Sequence, residues 1–197
     1  MEQPEHGKRG KSTELEIPLG SVAGLPVTAR ASFFLARLIF TVILIVAGRF
    51  VFKLSRPKAL LFGLVAAVVD PLIVLIHQLG HAWAAKKVGW PMNGISFWGL
   101  FSTCYYPLEE PELPPEIHLR RAIAGPVVSF FNGLLAGVVG LRLFPHKGVG
   151  RLLALFWMVD ASGVRGIGAL GPLQGTDGPA VYYWAKRLLA EKKHQNT

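Results

Sequence analysis

Residues 59–85 read "ALLFGLVAAVVDPLIVLIHQLGHAWAA", an apolar run that contains one aspartate and ends with two histidines four positions apart. The run is longer than the roughly 20 helical residues that cross the ~30 Å hydrocarbon layer of a bilayer. An ionisable side chain inside such a span is costly and commonly marks a functional site. The stretch therefore predicts a membrane-spanning helix that carries chemistry.

Three further segments extend this pattern along the chain. Residues 31–52 and 121–143 are long enough to span a bilayer, and 151–171 is a weaker candidate because Asp160 and Arg165 interrupt it. Hydrophobic residues make up 51% of the chain and the mean hydropathy is +0.40, which is high for a soluble domain. The sequence predicts an all-α polytopic membrane protein of about four transmembrane helices, and this is favoured over a soluble bundle of very apolar helices.

Two stretches outside the spans have a β pattern. Residues 14–29, "ELEIPLGSVAGLPVTA", mix β-forming residues with glycine and proline, which predicts a strand or hairpin at the membrane surface. Residues 89–107, "GWPMNGISFWGLFSTCYYP", are aromatic and punctuated by glycine, which indicates a short sheet or a re-entrant loop. We therefore add a small membrane-associated β element to the predicted fold.

Composition divides the chain into three parts. Residues 1–13 are charged and are expected to form a disordered N-terminal tail, 14–185 a membrane-embedded domain, and 186–197 a basic cytosolic tail. The polar start lacks an apolar segment with a cleavage site, so no removable secretory signal is expected and the first span would target the chain. The single cysteine, Cys104, excludes an intrachain disulfide.

The basic residues follow a topological pattern. The formal net charge is +9, and twelve Lys and Arg residues fall in segments on the side of the two termini, against five in the loops on the other side. Positive residues concentrate on the cytosolic side of membrane proteins, which predicts cytosolic N- and C-termini. The charge is thereby explained by topology and anionic lipid, and nucleic-acid binding is not predicted. The bilayer is the expected partner, and the sequence makes no prediction of oligomeric state.

His77 and His81 lie at positions i and i+4, so a helix presents both imidazoles on one face. Catalytic zinc takes three protein ligands and leaves one coordination position open, so a distant residue must supply the third ligand. Asp177 lies in a turn between Gly175 and Gly178 after the fourth span, at the same predicted depth as the two histidines. The sequence predicts a zinc site formed by the two histidines and this aspartate.

These motifs together resemble the site-2 protease family of intramembrane zinc metalloproteases. "HQLGH" at 77–81 matches the family's HExxH except at its second letter, and Asp177 with Gly178 matches its later aspartate-glycine element. "AIAGPVVSFFNGLLAG" and "GLPVTARASFFL" resemble the family's helix openings, so the likeness covers most of 17–184. It implies a zinc endopeptidase of a bacterial or archaeal cell membrane that cleaves transmembrane segments of other proteins.

Two positions depart from the family pattern. Gln78 stands where the family has the general-base glutamate, and a glutamine cannot accept that proton. Loss of a general base costs on the order of 10²–10⁴ in rate, so this chain is expected to be inactive or nearly so. Ala169 stands where the family has an asparagine before Pro172, which leaves Ser129 or Asn132 as candidates to stabilise a substrate carbonyl.

Two explanations fit Gln78. It is either an isosteric substitution that holds an enzyme with its substrate intact, or the mark of a natural pseudoprotease that binds membrane segments without cutting them. A metal-ion transporter is a third interpretation, but it would need acidic or histidine ligands in several spans, and 31–52 and 121–143 offer almost none.

Simpler roles remain open for single residues. The two histidines can be ordinary buried polar residues, and Asp177 can be a turn or N-cap residue before the last helix. Asp70 lies seven residues before His77 on nearly the same helix face, about 10 Å away along the axis. It either lines a water path to the metal or pairs with a buried arginine such as Arg37 or Arg165.

Overall fold

The structure is a computed structural model that describes residues 15–195, so the predicted tail at 1–13 lies outside the described residues. Its helices are α1 (Ala31–Phe50), α2 (Arg56–Lys87), α3 (Pro115–Leu143), α4 (Val149–Met158) and α5 (Gly178–Gln195). Helix α4 continues through a π-helical segment, Val159–Ile167, and a 3₁₀ turn, Gly168–Leu170.

Four helical segments of the described chain are long and apolar enough to cross a membrane: α1, α2, α3 and the continuous 149–170 segment. This confirms the predicted fold class, including the weaker fourth span. Large apolar side chains such as Leu38, Val68 and Phe131 are exposed on the outer faces of the helices, at 65%, 64% and 64%. Extensive exposed apolar surface of this kind is characteristic of contact with lipid.

The strands form one four-stranded sheet in chain order: β1 (Glu16–Val22), β2 (Leu25–Arg30), β3 (Gly94–Trp98) and β4 (Phe101–Tyr105). The β1–β2 and β3–β4 pairs are antiparallel hairpins, and β2 pairs with β3 in parallel. A parallel pair needs a long crossover connection, which α1 and α2 supply here. The predicted hairpin is confirmed, and the second β stretch is a hairpin of the same sheet instead of a re-entrant loop.

Helix α2 connects the sheet to the helical bundle. A buried apolar cluster joins α2 to β2 and β3, and its members include Val74, Ala85, Ile95 and Phe97. On its other sides α2 packs against α1, α3 and α4. The histidine-bearing end of α2 is therefore enclosed by the sheet and by α3.

Helix α5 packs against α3 through a second cluster formed by Ala122, Ala180 and Trp184. The boundary predicted between residues 185 and 186 falls within this helix, which continues to Gln195. The packing of α5 fixes the position of the turn that immediately precedes it, and this turn contains Asp177.

Candidate metal centre

The structure brings the three predicted ligands together. His77 Nε2 and His81 Nε2 are 3.1 Å apart on α2. Asp177 Oδ2 lies 3.1 Å from His77 Nε2, and its Oδ1 lies 3.2 Å from His81 Nε2. The side chains are only 10%, 4% and 15% exposed, so the three polar groups face each other away from solvent.

These distances fit a zinc ion. Zinc bonds to nitrogen and oxygen ligands are about 2.0–2.2 Å long, so two ligands at corners of a tetrahedron lie about 3.3 Å apart. The 3.1 Å between the two imidazole nitrogens is close to that edge length, and with one atom taken from each residue the three ligand atoms all lie within 4.8 Å of one another. The donor set of two imidazoles and one carboxylate is also one that catalytic zinc uses.

Helix α3 orients both histidines. His81 Nδ1 donates to the backbone carbonyl of Arg121 at 2.8 Å, and His77 Nδ1 is 2.9 Å from the Ser129 hydroxyl. A carbonyl can only accept, so Nδ1 of His81 carries its proton and Nε2 is the nitrogen available to a metal. Outer partners of this kind fix the tautomer and ring direction of metal-binding histidines.

Small residues allow this close approach between α2 and α3. A side chain at Gly125 would overlap the His81 ring, and one at Gly80 would lie 2.9 Å from the Ala124 carbonyl oxygen. The Ala-Gly-Pro motif at 124–126, quoted above only as a family resemblance, thereby has a physical role. It leaves room for one of the predicted metal ligands.

The turn that contains Asp177 is compact. Thr176 Oγ1 donates to the carbonyls of Gly171 and Leu173, and Gly175 adopts a left-handed φ of +85°. Asp177 directly precedes α5, and its carbonyl accepts from Val181 N–H in the first turn of that helix at 2.9 Å. Its side chain contacts the two histidines, so the residue flanks the helix and also faces the candidate site.

The two histidines act on the pKa of the Asp177 carboxyl. Burial by itself raises its pKa, but when the histidines are protonated, the charge of His81 and hydrogen bonds from both rings outweigh burial. The pKa of Asp177 therefore lies well below its ordinary value, and the group is ionised.

Gln78 lies next to the first histidine and is 5% exposed. Its Nε2 donates to the Ser102 hydroxyl on β4 at 2.7 Å. Its Oε1 is buried and has no hydrogen-bond partner within residues 15–195. Position 78 thus joins the metal-site helix to the sheet.

The two candidates for carbonyl stabilisation are already engaged. Ser129 contacts His77, as described above, and Asn132 Oδ1 accepts from Trp157 Nε1 at 2.9 Å. Neither contact was visible in the sequence, because each joins residues on different helices. The contact of Ser102 with Gln78 and that of the Arg121 carbonyl with His81 were also missed, because each joins α2 to an element that is distant in sequence.

Asp70 belongs to a separate charged cluster. It pairs with Arg37 on α1 and, at 2.8 Å, with Arg165 on the π-helical segment. Arg165 also contacts Asp160 at 3.0 Å, so two positive and two negative side chains balance within the helical bundle. Of the two roles left open for Asp70, the structure shows the pairing with arginine.

Comparison with known proteins relates this geometry to a family. No protein-family model matches the chain. A zinc metalloprotease of Methanocaldococcus jannaschii is 31% identical over 123 residues, which are 62% of this chain and 32% of that protein. The solved structure of the site-2 protease from Methanocaldococcus jannaschii matches 90% of this chain and 73% of its own, with a TM-score of 0.59 and 23% identity. The chain has the site-2 protease fold.

The structural match agrees with the fold that the motifs had indicated, and the sequence match is a likeness to a zinc metalloprotease over part of its length. The chain spans about a third of the length of the zinc metalloprotease that it matches. Within the site-2 protease fold seen here, the candidate metal centre lies where α2, α3 and the turn before α5 meet.

Proposed function

We propose that this chain is built as an intramembrane zinc metalloendopeptidase that acts on transmembrane segments of other proteins. The observation that carries the proposal is the convergence of His77, His81 and Asp177 inside a bundle of four apolar helices. The likeness to a zinc metalloprotease and to a site-2 protease supports the same chemistry.

Each residue then has a role in hydrolysis. His77, His81 and Asp177 would hold the zinc, and zinc bound there would lower the pKa of water and polarise the scissile carbonyl. The side chain at position 78 would accept the proton from water. Gln78 has the shape for this role but lacks the basic oxygen, so turnover is blocked at the proton transfer.

The substrate would bind in an extended form. A transmembrane helix hides its peptide carbonyls in its own hydrogen bonds, so a segment must unwind before it is cut. Strand β4 is an edge strand of the described sheet, with β3 as its one neighbour. An unwound segment can add to such an edge through main-chain hydrogen bonds, so 92–106 is the proposed substrate-binding element.

The decisive experiment restores the general base. We expect Gln78→Glu, reconstituted in vesicles with zinc, to cleave single-span membrane proteins about 10²–10⁴ times faster than the unchanged chain. Chelation of zinc should abolish the gain, and the double variant Gln78→Glu with His81→Ala should not show it.

The alternative is a pseudoprotease that binds membrane segments and does not cut them, and the side chain at Gln78 is the observation in its favour. This reading predicts that Gln78→Glu binds single-span proteins as the unchanged chain does, yet cleaves none of a panel of them. That result would remove the endopeptidase assignment and leave the fold and the metal centre.

A further inference from the structure

Ser102 makes the one side-chain hydrogen bond described for Gln78. The Ser102 hydroxyl accepts from Gln78 Nε2 at 2.7 Å, across 24 positions of sequence, and the amide oxygen of Gln78 is buried without a partner among the residues that the structure describes. Gln78 follows His77 directly on α2. The direction of this buried side chain is therefore set from the sheet.

We propose that Ser102 is a positioning residue that fixes the side chain at position 78 for proton transfer, an inference that rests on the function proposed above. A hydroxyl both accepts and donates hydrogen bonds. It accepts from the amide of glutamine here and would donate to a carboxylate after Gln78→Glu, forming a charge-assisted bond. The same contact thereby serves either side chain.

The strand makes Ser102 a rigid support. Ser102 pairs with Phe97 in the β3–β4 ladder, and β4 packs directly on α2. A long side chain on a helix has several rotamers, and a general base must lie within hydrogen-bond distance of the proton that it accepts. A hydroxyl held by a paired strand selects one of these rotamers.

Another strand of the sheet provides a matched control. Thr28 also carries a hydroxyl in this sheet, but it lies on β2, outside residues 92–106. Its Oγ1 donates to Glu16 Oε2 on β1 at 3.3 Å. Removal of the Thr28 hydroxyl thus disturbs the sheet without touching position 78 or the proposed substrate-binding element.

The test uses the zinc-loaded 197-residue chain in vesicles, with Gln78→Glu as the reference. We expect Ser102→Ala, added to Gln78→Glu, to lower kcat about 10- to 100-fold, because a slightly misplaced general base accepts the proton more slowly. The KM and the zinc content should stay unchanged. Ser102→Thr in place of Ser102→Ala should keep most of kcat, and added Thr28→Ala should leave it unchanged.

A second readout does not depend on cleavage. In the unchanged chain, Gln78→Ala and Ser102→Ala should each lower Tm, and the double variant should lie no lower than the more damaging single variant. Such non-additivity is expected of two groups that share one contact. Additive losses would show that the contact is absent and would overturn the proposal.

The possible kinetic results separate this inference from the proposed function. If Gln78→Glu cleaves substrate and added Ser102→Ala leaves kcat unchanged, Ser102 has no positioning role and the protease assignment stands. If Gln78→Glu cleaves nothing while Ser102 is intact, the protease assignment fails, and the positioning role is refuted with it. An equal fall of kcat in Thr28→Ala would attribute the effect to general damage to the sheet, which also overturns the proposal.

Discussion

At the scale of single residues, the candidate metal centre depends on how the two histidines use their ring nitrogens. Each histidine uses Nδ1 for a contact with α3 and turns Nε2 towards Asp177. A ligand set that is already oriented loses less freedom when a metal binds. The arrangement therefore predicts tight binding of one ion.

The first prediction concerns stoichiometry. The purified protein should hold about one zinc ion per chain by elemental analysis, because three converging ligands form one site. His81→Ala and Asp177→Ala should each lose most of this zinc. His146→Ala is the control, since His146 lies in the loop between α3 and α4. Full zinc retention by Asp177→Ala would exclude this residue as a ligand.

Ser129 gives a second prediction at this scale. Its hydroxyl contacts and orients His77. Loss of such an outer partner lowers metal affinity roughly 10- to 100-fold. We expect Ser129→Ala to weaken zinc binding by about that factor in a competition titration with a chelator. Thr41→Ala, which removes a hydroxyl bonded to the Arg37 carbonyl on α1, should leave the affinity unchanged. Equal affinity in Ser129→Ala and the unchanged chain would contradict this role.

At the scale of elements, the charged cluster around Asp70 joins α1, α2 and the π-helical segment after α4. The Asp70 side chain is 4% exposed and contacts both Arg37 and Arg165. In an apolar environment, a charged group that loses its partner carries a large desolvation cost. The cluster therefore makes the packing of three helices depend on one carboxylate.

Substitution of Asp70 should destabilise the bundle. We expect Asp70→Ala to lower the free energy of unfolding by about 3–5 kcal/mol, because two partly buried arginines lose a partner within the apolar bundle. The matched control is Glu116→Ala, which removes the exposed pair with Arg120 and should cost about 1 kcal/mol or less. Denaturant titration in detergent micelles measures both. Similar losses in the two variants would show that the cluster does not stabilise the bundle.

The elements were predictable to different degrees for physical reasons. The four spans followed from run length alone, because a bilayer demands about 20 apolar residues in each crossing helix. The histidine pair followed from helical spacing. The π-helical segment at 159–167 did not follow, because its sequence has no signal that separates it from an α-helix. The contacts of Ser102 and Ser129 depend on which elements pack together, and no local pattern encodes that.

At the scale of the whole molecule, the orientation in the membrane decides which compartment the candidate site faces. The twelve basic residues predicted on the inner side against five outside favour cytosolic termini. Asp177 lies directly before α5, and α5 carries Lys186, Arg187 and Lys192. If the charge rule holds, the candidate metal centre opens towards the cytosolic half of the bilayer.

Single-cysteine labelling tests this orientation with little background from the native thiol. Cys104 is partly buried, and burial together with the Asp177 charge raises its pKa to about 11. Only the thiolate reacts, so a raised pKa leaves Cys104 almost unreactive at neutral pH and makes it react faster only in alkali. A cysteine placed at an exposed position should react far faster at pH 7.

We therefore expect Lys147→Cys, in the loop between α3 and α4, to react with a membrane-impermeant maleimide added to intact cells. Lys192→Cys, on α5, should react only after the membrane is opened, because basic segments stay on the cytosolic side. The unchanged chain measures the reactivity of Cys104 alone. The reverse pattern would place Asp177 and the two histidines on the outer side of the membrane, and the substrates would then have to be cut from that side.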